Sequence, residues 1–361
     1  MNKFLLPLAW LYGLVVWLRN KLFDRNILPV EVFSVPLISI GNIRVGGTGK
    51  TPHTEYLIRL LSKKYKIAVL SRGYKRQTSG FIRADENANS RSIGDEPLQM
   101  YRKFPGITVA VDSNRRRGIK NLLKLPKDER PDVVLLDDAF QHRYVKPSLS
   151  LLLTSSKQPL YDDCLLPVGR LREPATNHVR ADIVVCTKCL YPFDPIELQS
   201  VEANLHLLPH QQLFFSAYGY RSLLPVFPGN NLVRKESLER LKKEGFSFLL
   251  LTGFAHPEDM IAYLENYTSD LHLRIYPDHH AFRRKNINEI TGAFQSIGND
   301  RKIIVTSEKD AVRLTDNPYF PDELKSFIYY LPIEVIINKE ELFTQKIENH
   351  VANFKRNRIL A

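Results

Sequence analysis

Gly49, Lys50 and Thr51 close a glycine-dense loop, with Gly41, Gly46 and Gly47 before them. An ammonium group and a hydroxyl after such a loop suit nucleotide phosphates: glycine backbone N–H groups turn inward, the lysine reaches the β- and γ-phosphates, and the hydroxyl suits Mg²⁺. The loop residues set against a nucleotide are Arg44, Val45, Gly46, Gly47, Thr48, Gly49, Lys50 and Thr51. The strict pattern wants glycine at position 44, where this chain has arginine, so a plain glycine-rich turn stays open at this point. Asp137 and Asp138 end an apolar run, PDVVLLDD, as a Walker-B carboxylate does, and with Thr51 would offer hard oxygens to Mg²⁺. Arg72, Arg115 and Arg172 have the guanidinium forks that suit phosphate, although each alone reads equally as a surface arginine. Gly94-Asp95-Glu96-Pro97 puts acids in a first helical turn, ordinary dipole chemistry in itself. Asp278 beside His279 suits a base whose tautomer a carboxylate fixes.

These residues need a scaffold, and the chain supplies one. Pro36–Ile40 reads as a strand before the loop, and Tyr56, Leu57, Leu60 and Leu61 recur at helical spacing after it. Strands follow at 66–71, 107–112, 131–138, 148–154 and 181–187, with helices at 95–104 and 114–125. Continuous apolar strands separated by helices predict an α/β fold, with a parallel sheet covered on both faces and ligands at the carboxyl strand ends. Aromatic alternation in FFSAYGYRSLLPVF predicts a β linker over 209–230. Strands at 246–252, 271–276, 302–306 and 327–331 then mark a second α/β set. The expected organisation is therefore an apolar helix (1–25), a P-loop domain (26–208), the linker, a second domain (231–338), and a C-terminal helix with a basic tail (339–361).

A chain of 361 residues has room for two cores, and its formal net charge of +12 predicts an anionic partner. Three cysteines make no disulfide framework, and Cys186 and Cys189 read as strand-end core residues. Phe4–Leu18 is apolar throughout, yet as a helix it would reach only about 22 Å, short of the roughly 30 Å hydrocarbon core. With Trp10, Tyr12 and Trp17, and Arg19, Lys21 and Arg25 behind, it predicts a helix lying in the cytoplasmic leaflet. A buried helix packed on the following domain is the other reading.

Taken together, LPLAWLYG, ISIGNIRVGGTGKTP, LSRGY, GDEP, DDAFQH, LPVGRLREP, YPDHHAF and VTSEKDAV resemble the tetraacyldisaccharide 4'-kinase family over most of the chain. Position 44 is not glycine in that family either. Where the family commonly reads Asp-Asp-Gly, this chain has Ala139, which asks for an ordinary backbone conformation there. The resemblance implies a P-loop, NTPase-like first domain and two α/β/α domains joined by a two-stranded linker. It implies ATP-dependent phosphorylation of the 4'-hydroxyl of a tetraacyldisaccharide 1-phosphate, giving the 1,4'-bisphosphate lipid A precursor at the cytoplasmic face of the inner membrane. By motif match, Asp95 and His279 would be the proton-abstracting dyad. Thr51, Asp137, Asp138 and Glu173 would surround Mg²⁺, and Arg72, Arg115 and Arg172 would contact substrate phosphate. A base drawn from the second domain would couple proton removal to domain closure. The role of Lys309-Asp310 stays open.

Two other classes fit less well. A P-loop GTPase or metallochaperone would want an Asn-Lys-x-Asp segment, and the chain has none. A nucleic-acid-associated ATPase would concentrate its basic charge, which here is spread along the chain. The expected partners are thus the acylated disaccharide phosphate and an anionic membrane surface, without nucleic acid and without an obligate protein partner.

Overall fold

The computed structural model describes residues 3–229, 235–253, 257–278 and 280–359. Its strands are β1 (Leu37–Asn42), β2 (Ile67–Ser71), β3 (Ile82–Arg83), β4 (Thr108–Val111), β5 (Val133–Asp137), β6 (Leu149–Ser155), β7 (Ile183–Thr187), β8 (Gln212–Tyr220), β9 (Leu224–Pro225), β10 (Ser247–Thr252), β11 (Leu271–Ile275), β12 (Lys302–Ser307), β13 (Ile328–Leu331) and β14 (Ile333–Ile337). The helices are α1 (Leu6–Asp24), α2 (Lys50–Leu61), α3 (Ser90–Ile93), α4 (Asp95–Lys103), α5 (Arg115–Leu123), α6 (Pro195–Leu205), α7 (Leu238–Lys243), α8 (Glu258–Glu265), α9 (Arg284–Gln295), α10 (Glu308–Thr315) and α11 (Glu340–Ile359).

The described residues form two compact units. One comprises those of Met1–Ala88, Ser92–Tyr218 and Val335–Ala361; the other comprises those of Asn89–Arg91 and Gly219–Glu334. The first unit is built on a sheet ordered β14-β8-β7-β6-β1-β5-β2-β4-β3. From β4 through β8 in that order every printed pairing is parallel. Each residue of β1, β2, β5, β6 and β7 is buried. Strands so uniformly apolar have no solvent face, so both sides must be covered. On one side Leu37, Leu70, Val134 and Leu136 pack with Ile119 and Leu122 of α5. On the other, Leu152 and Val184 pack with Val201 and Leu205 of α6. Cys186 and Cys189 are buried in this second layer as free thiols.

The second unit has its own sheet, β11-β10-β12-β13-β9, parallel except for β9 against β13. Leu249, Leu251 and Ile304 pack with α9 on one face, while Phe248, Leu250 and Val305 pack with α7 and α8 on the other. The chain passes between the units along β8 and β14, and α11 belongs to the first unit.

The apolar N-terminus forms α1 and exposes most of its large side chains, among them Trp10 at 80%. Among the described residues, no helix is long and apolar enough to cross a membrane. The face of α1 turned inward is polar as well as apolar. Ala9, Asn20 and Phe23 are buried, and a Cβ on Gly13 would lie 2.8 Å from Leu165. Part of the helix thus packs on the domain behind it, while most of its large apolar side chains stay exposed.

Candidate active site

Strand β1 delivers the chain to the glycine loop at the carboxyl edge of the sheet. Gly46 takes a φ of 119° and Gly49 one of 85°, both in the left-handed region that favours glycine. A side chain at Gly49 would also collide with Tyr218, whose hydroxyl lies 2.0 Å from the ideal Cβ. Helix α2 starts at Lys50, and Gly49 has no side chain to cap its first-turn N–H groups. Uncapped N–H groups and the helix dipole make that turn an anion site. The loop is held from below: Asn42 donates to the Thr48 hydroxyl at 2.7 Å, and Thr187 donates to the Thr48 carbonyl at 3.0 Å. His53 bridges the Gly49 carbonyl (2.7 Å) and the Ser216 hydroxyl (2.9 Å). Burial brings the His53 ring down to about 4, so it is neutral there.

The first half of the loop is not a free cradle. The Val45 N–H donates to the Arg170 carbonyl at 2.8 Å, and the Arg172 N–H to the Ile43 carbonyl at 2.7 Å. Arg44 forms the intervening antiparallel bridge with Leu171. Its guanidinium turns to Asp163 at 2.6 Å and to Gln158. Arg44 thus offers a nucleotide backbone groups rather than its charge.

Strand β5 brings Asp137 and Asp138 alongside. Asp137 is buried, accepting from Ser71 at 3.0 Å and from Thr54 at 3.4 Å. Burial, then the charges of Glu96 and Asp138, push its carboxyl up to about 7. Asp138 takes a left-handed φ of 46°. Burial opposes its ionisation, but Lys50 and then Arg172 outweigh that and hold its carboxyl below the usual carboxylate range. The contacts are 3.8 Å from Lys50 Nζ to Oδ1, and 3.2 and 3.3 Å from Arg172 Nη1 to the two oxygens. Gln141 joins them, accepting from Arg172 at 3.2 Å and donating to the Asn42 carbonyl at 2.8 Å.

Arg115 is buried in the first turn of α5 and donates to the carbonyls of Asp112 and Asp137. Burial brings it down to about 10, against the pull of Asp137 and Asp138. Arg72, exposed just beyond β2, acts electrostatically on Arg115 and on His142. Burial, then Arg115, Arg19, Arg116 and Arg72, bring the His142 ring down to about 4. Its Nε2 is buried without a protein partner among the described residues. Asp95 opens α4, half-buried, after Gly94 with its φ of 93°. Helix α4 is tied to α2 by buried Glu55, which accepts from Gln99 at 2.7 Å and Lys103 at 2.6 Å. The turn carrying Asp95 is therefore near β5, since its neighbour Glu96 is felt at Asp137.

Glu173 stands apart from this group. Its Oε2 accepts from Asn20 (3.2 Å), Asn177 (2.8 Å) and Arg180 (2.8 Å), and its Oε1 is buried without a protein partner among the described residues. The structure thus does not gather it with Thr51, Asp137 and Asp138: two amides and a guanidinium already enclose it. His279 lies outside the described residues. Its neighbour Asp278 pairs with Lys309 at 3.6 Å. Asp310 is fully buried and accepts from the Gly253 N–H (2.9 Å), Ser307 (2.7 Å) and Arg313 (2.9 Å). That web makes Asp310 the tie between the ends of β10 and β12.

Comparison with known proteins places the chain in a family. A model of the tetraacyldisaccharide-1-P 4'-kinase family matches residues 1–352. The chain belongs to that family. A tetraacyldisaccharide 4'-kinase of Parabacteroides distasonis is 48% identical over 352 residues, covering 97% of this chain and 95% of the relative. Another, of Flavobacterium psychrophilum, is 41% identical over 362 residues and covers 99% of each. Among solved structures, the "apo" form of LpxK from Aquifex aeolicus in complex with ATP superposes with a TM-score of 0.73. It is 28% identical, with 96% of this chain and 98% of that one covered.

Sequence reasoning missed the contacts that α1 makes with this region. Tyr12 donates to the Arg172 carbonyl at 2.8 Å, Arg19 to the Gln141 carbonyl at 2.9 Å, and Asn20 to Glu173. Asn20 lies between Arg19 and Lys21, just past the apolar run, and nothing in the local sequence marks it as buried. Gln141 and His142 were visible in the DDAFQH motif, but no property of the local sequence gives them a role.

Proposed function

We propose that the chain transfers the γ-phosphoryl group of ATP to the 4'-hydroxyl of a tetraacyldisaccharide 1-phosphate, at the cytoplasmic face of an inner membrane. The observation that carries this reading is the Lys50–Asp138–Arg172 cluster at the uncapped start of α2, in a chain of this family. In the transfer, the sugar oxygen bonds to the γ-phosphorus, the bond to the β–γ bridging oxygen breaks, and the hydroxyl proton passes to a base. The loop backbone from Gly46 to Gly49 and the first turn of α2 bind the donor's phosphates. Lys50 and Arg172 are held by Asp138 where charge builds on the transferred group. Such preorganised cations suit a reaction that depends on positioning and charge neutralisation. Arg72 and Arg115 serve phosphate on the acceptor side. Asp95 and His279 take the proton, the role the family resemblance gives them.

Magnesium fits the oxygens of Thr51, Asp137 and Asp138. Asp137 in particular is a buried carboxylate short of countercharge, since its pKa is pushed up to about 7. Among the described residues no three His, Cys, Asp or Glu side chains gather to hold a metal, so phosphate oxygens would complete the shell. When bound, the ion would neutralise charge on the phosphates. Glu173 acts instead through its neighbour Arg172, as a positioning residue.

The exposed apolar face of α1 brings the enzyme to its acylated acceptor as a peripheral or monotopic protein. The test is transfer of labelled γ-phosphate from ATP to tetraacyldisaccharide 1-phosphate in mixed micelles. Labelled bisphosphate lipid is the expected product. ATP binding without any labelled lipid would overturn the reading.

A further inference from the structure

We propose that the membrane-docking surface continues past α1, across residues 27–32, onto the cationic outer face of α5, where a groove takes the headgroup phosphate of an anionic phospholipid. This rests on the membrane reading above and adds a second point of attachment to it. The groove has a volume of about 340 Å³ and is lined by Glu31, Asn114, Arg116, Arg117, Lys120 and Lys124, among others. It lies outside the nucleotide cluster, because Arg115 alone of this arginine run turns inward, to the Asp137 carbonyl.

Three observations join the groove to α1. The Phe23 ring, on the last turn of α1, packs edge-on against Tyr144 at 4.9 Å, and the Arg116 guanidinium lies over that same Tyr144 ring at 5.1 Å. The segment leaving α1 is stitched beneath α5: the Glu31 N–H donates to the Tyr144 carbonyl, and Lys120 pairs with the Glu31 carboxylate at 2.8 Å. That segment exposes Ile27 at 63%, Val30 at 38% and Val32 at 70%. Apolar side chains beside Glu31, with cations just behind, reproduce the order of an interfacial layer, acyl boundary then phosphates.

Charge complementarity selects the occupant. Four cations line the groove, against the carboxylates of Glu31 and of Asp112, the latter held by Arg117 through two contacts of 2.8 Å. The local excess is positive, and an anionic headgroup would balance it. An uncharged or zwitterionic surface would not.

The experiment uses the full chain and sedimentation with vesicles free of acceptor lipid, either phosphatidylglycerol-rich or pure phosphatidylcholine. Cations near an anionic surface contribute about fivefold each to partition. Lys120→Gln/Lys124→Gln should therefore weaken binding to the anionic vesicles by about 25-fold and leave phosphatidylcholine binding unchanged. Ile27→Ser/Val32→Ser should weaken binding to both. Each variant should phosphorylate micellar acceptor at the parental rate, which separates this inference from the kinase reading. Parental partition of the lysine variant on anionic vesicles overturns the proposal, and so does an equal loss on phosphatidylcholine.

Discussion

Substituting Asn20 separates two views of α1: a membrane anchor, or a part of the catalytic unit. Its side-chain amide donates to Glu173 at 3.2 Å in a buried setting, while its backbone carbonyl, which a substitution leaves in place, accepts from the Arg143 guanidinium at 3.1 Å. Asn20→Ala removes one of three donors to a buried carboxylate. A hydrogen bond to a charged group is worth about 1.5–3 kcal/mol. Removing Asn20 Oδ1, which has no partner among the described residues, returns part of that, leaving a net loss of about 1–2 kcal/mol. For a unit of this size that is a fall of roughly 2–8 °C in Tm. Asn20→Asp should fall further, because it sets a second carboxylate against Glu173. Glu173 adjoins Arg172, whose guanidinium sits on Asp138, so both variants should also raise the KM for ATP. Thermal unfolding and initial rates in detergent micelles, where anchoring is irrelevant, are the assays. If both variants melt with the parent and keep its KM, α1 has no part in supporting the catalytic unit.

Gly49→Ala should cost stability through its φ of 85° and its collision with the Tyr218 hydroxyl, and should abolish nucleotide binding. Adding Tyr218→Phe should restore part of the Tm but not the binding, as isothermal titration would register. With its pKa raised to about 7 from 3.8, Asp137 stays protonated in the folded protein where the unfolded chain has already ionised. Its contribution to stability is thus complete below pH ~4 and is lost as pH rises to ~7, a change on the order of 4 kcal/mol. Asp137→Asn should flatten the slope of denaturant stability across that window; an unchanged slope would assign it to other groups. Lys50→Ala and Asp138→Ala should abolish turnover while circular dichroism stays parental. His279→Ala should lower kcat far more than ATP affinity and remove the acid limb of the pH–rate profile, where a base becomes protonated, whereas an unchanged profile would exclude it as the base.

The parts of the fold that were legible in the sequence are those specified locally. Strands buried on both faces read as unbroken apolar runs, so PDVVLLDD and KIAVLS could be placed within a residue or two of β5 and β2. Helix α4 announces itself through Gly94 and its first-turn acids. Long-range pairing was not legible. Glu173 follows Arg172 in sequence, but its environment comes from Asn20, 153 positions earlier, and from Arg180. Nor does the Asp-Asp-Ala sequence show that Asp138 takes the left-handed turn. Ala139 keeps an ordinary conformation, and Asp138 carries the φ of 46° that aspartate tolerates better than most residues.

The arginine at position 44 follows from the same long-range contacts. A phosphate-binding loop needs glycine where φ is positive or where the backbone meets the ligand closely. Here the positive φ values fall at Gly46 and Gly49, while position 44 lies in an extended bridge to Leu171, flanked by the 43–172 and 45–170 hydrogen bonds. An extended residue has no use for glycine, and a long side chain there can reach Asp163. The segment 163–173 consequently holds the nucleotide loop by Arg44 and the backbone, and holds Asp138 by Arg172. It meets α1 through Leu165, Arg172 and Glu173. Helix α1 is therefore joined by hydrogen bonds to the segment that holds Arg44 against Asp163 and Arg172 against Asp138. Tyr12→Phe and Asn20→Ala would remove the bonds to the Arg172 carbonyl and to Glu173, leaving the one from Arg19 to the Gln141 carbonyl.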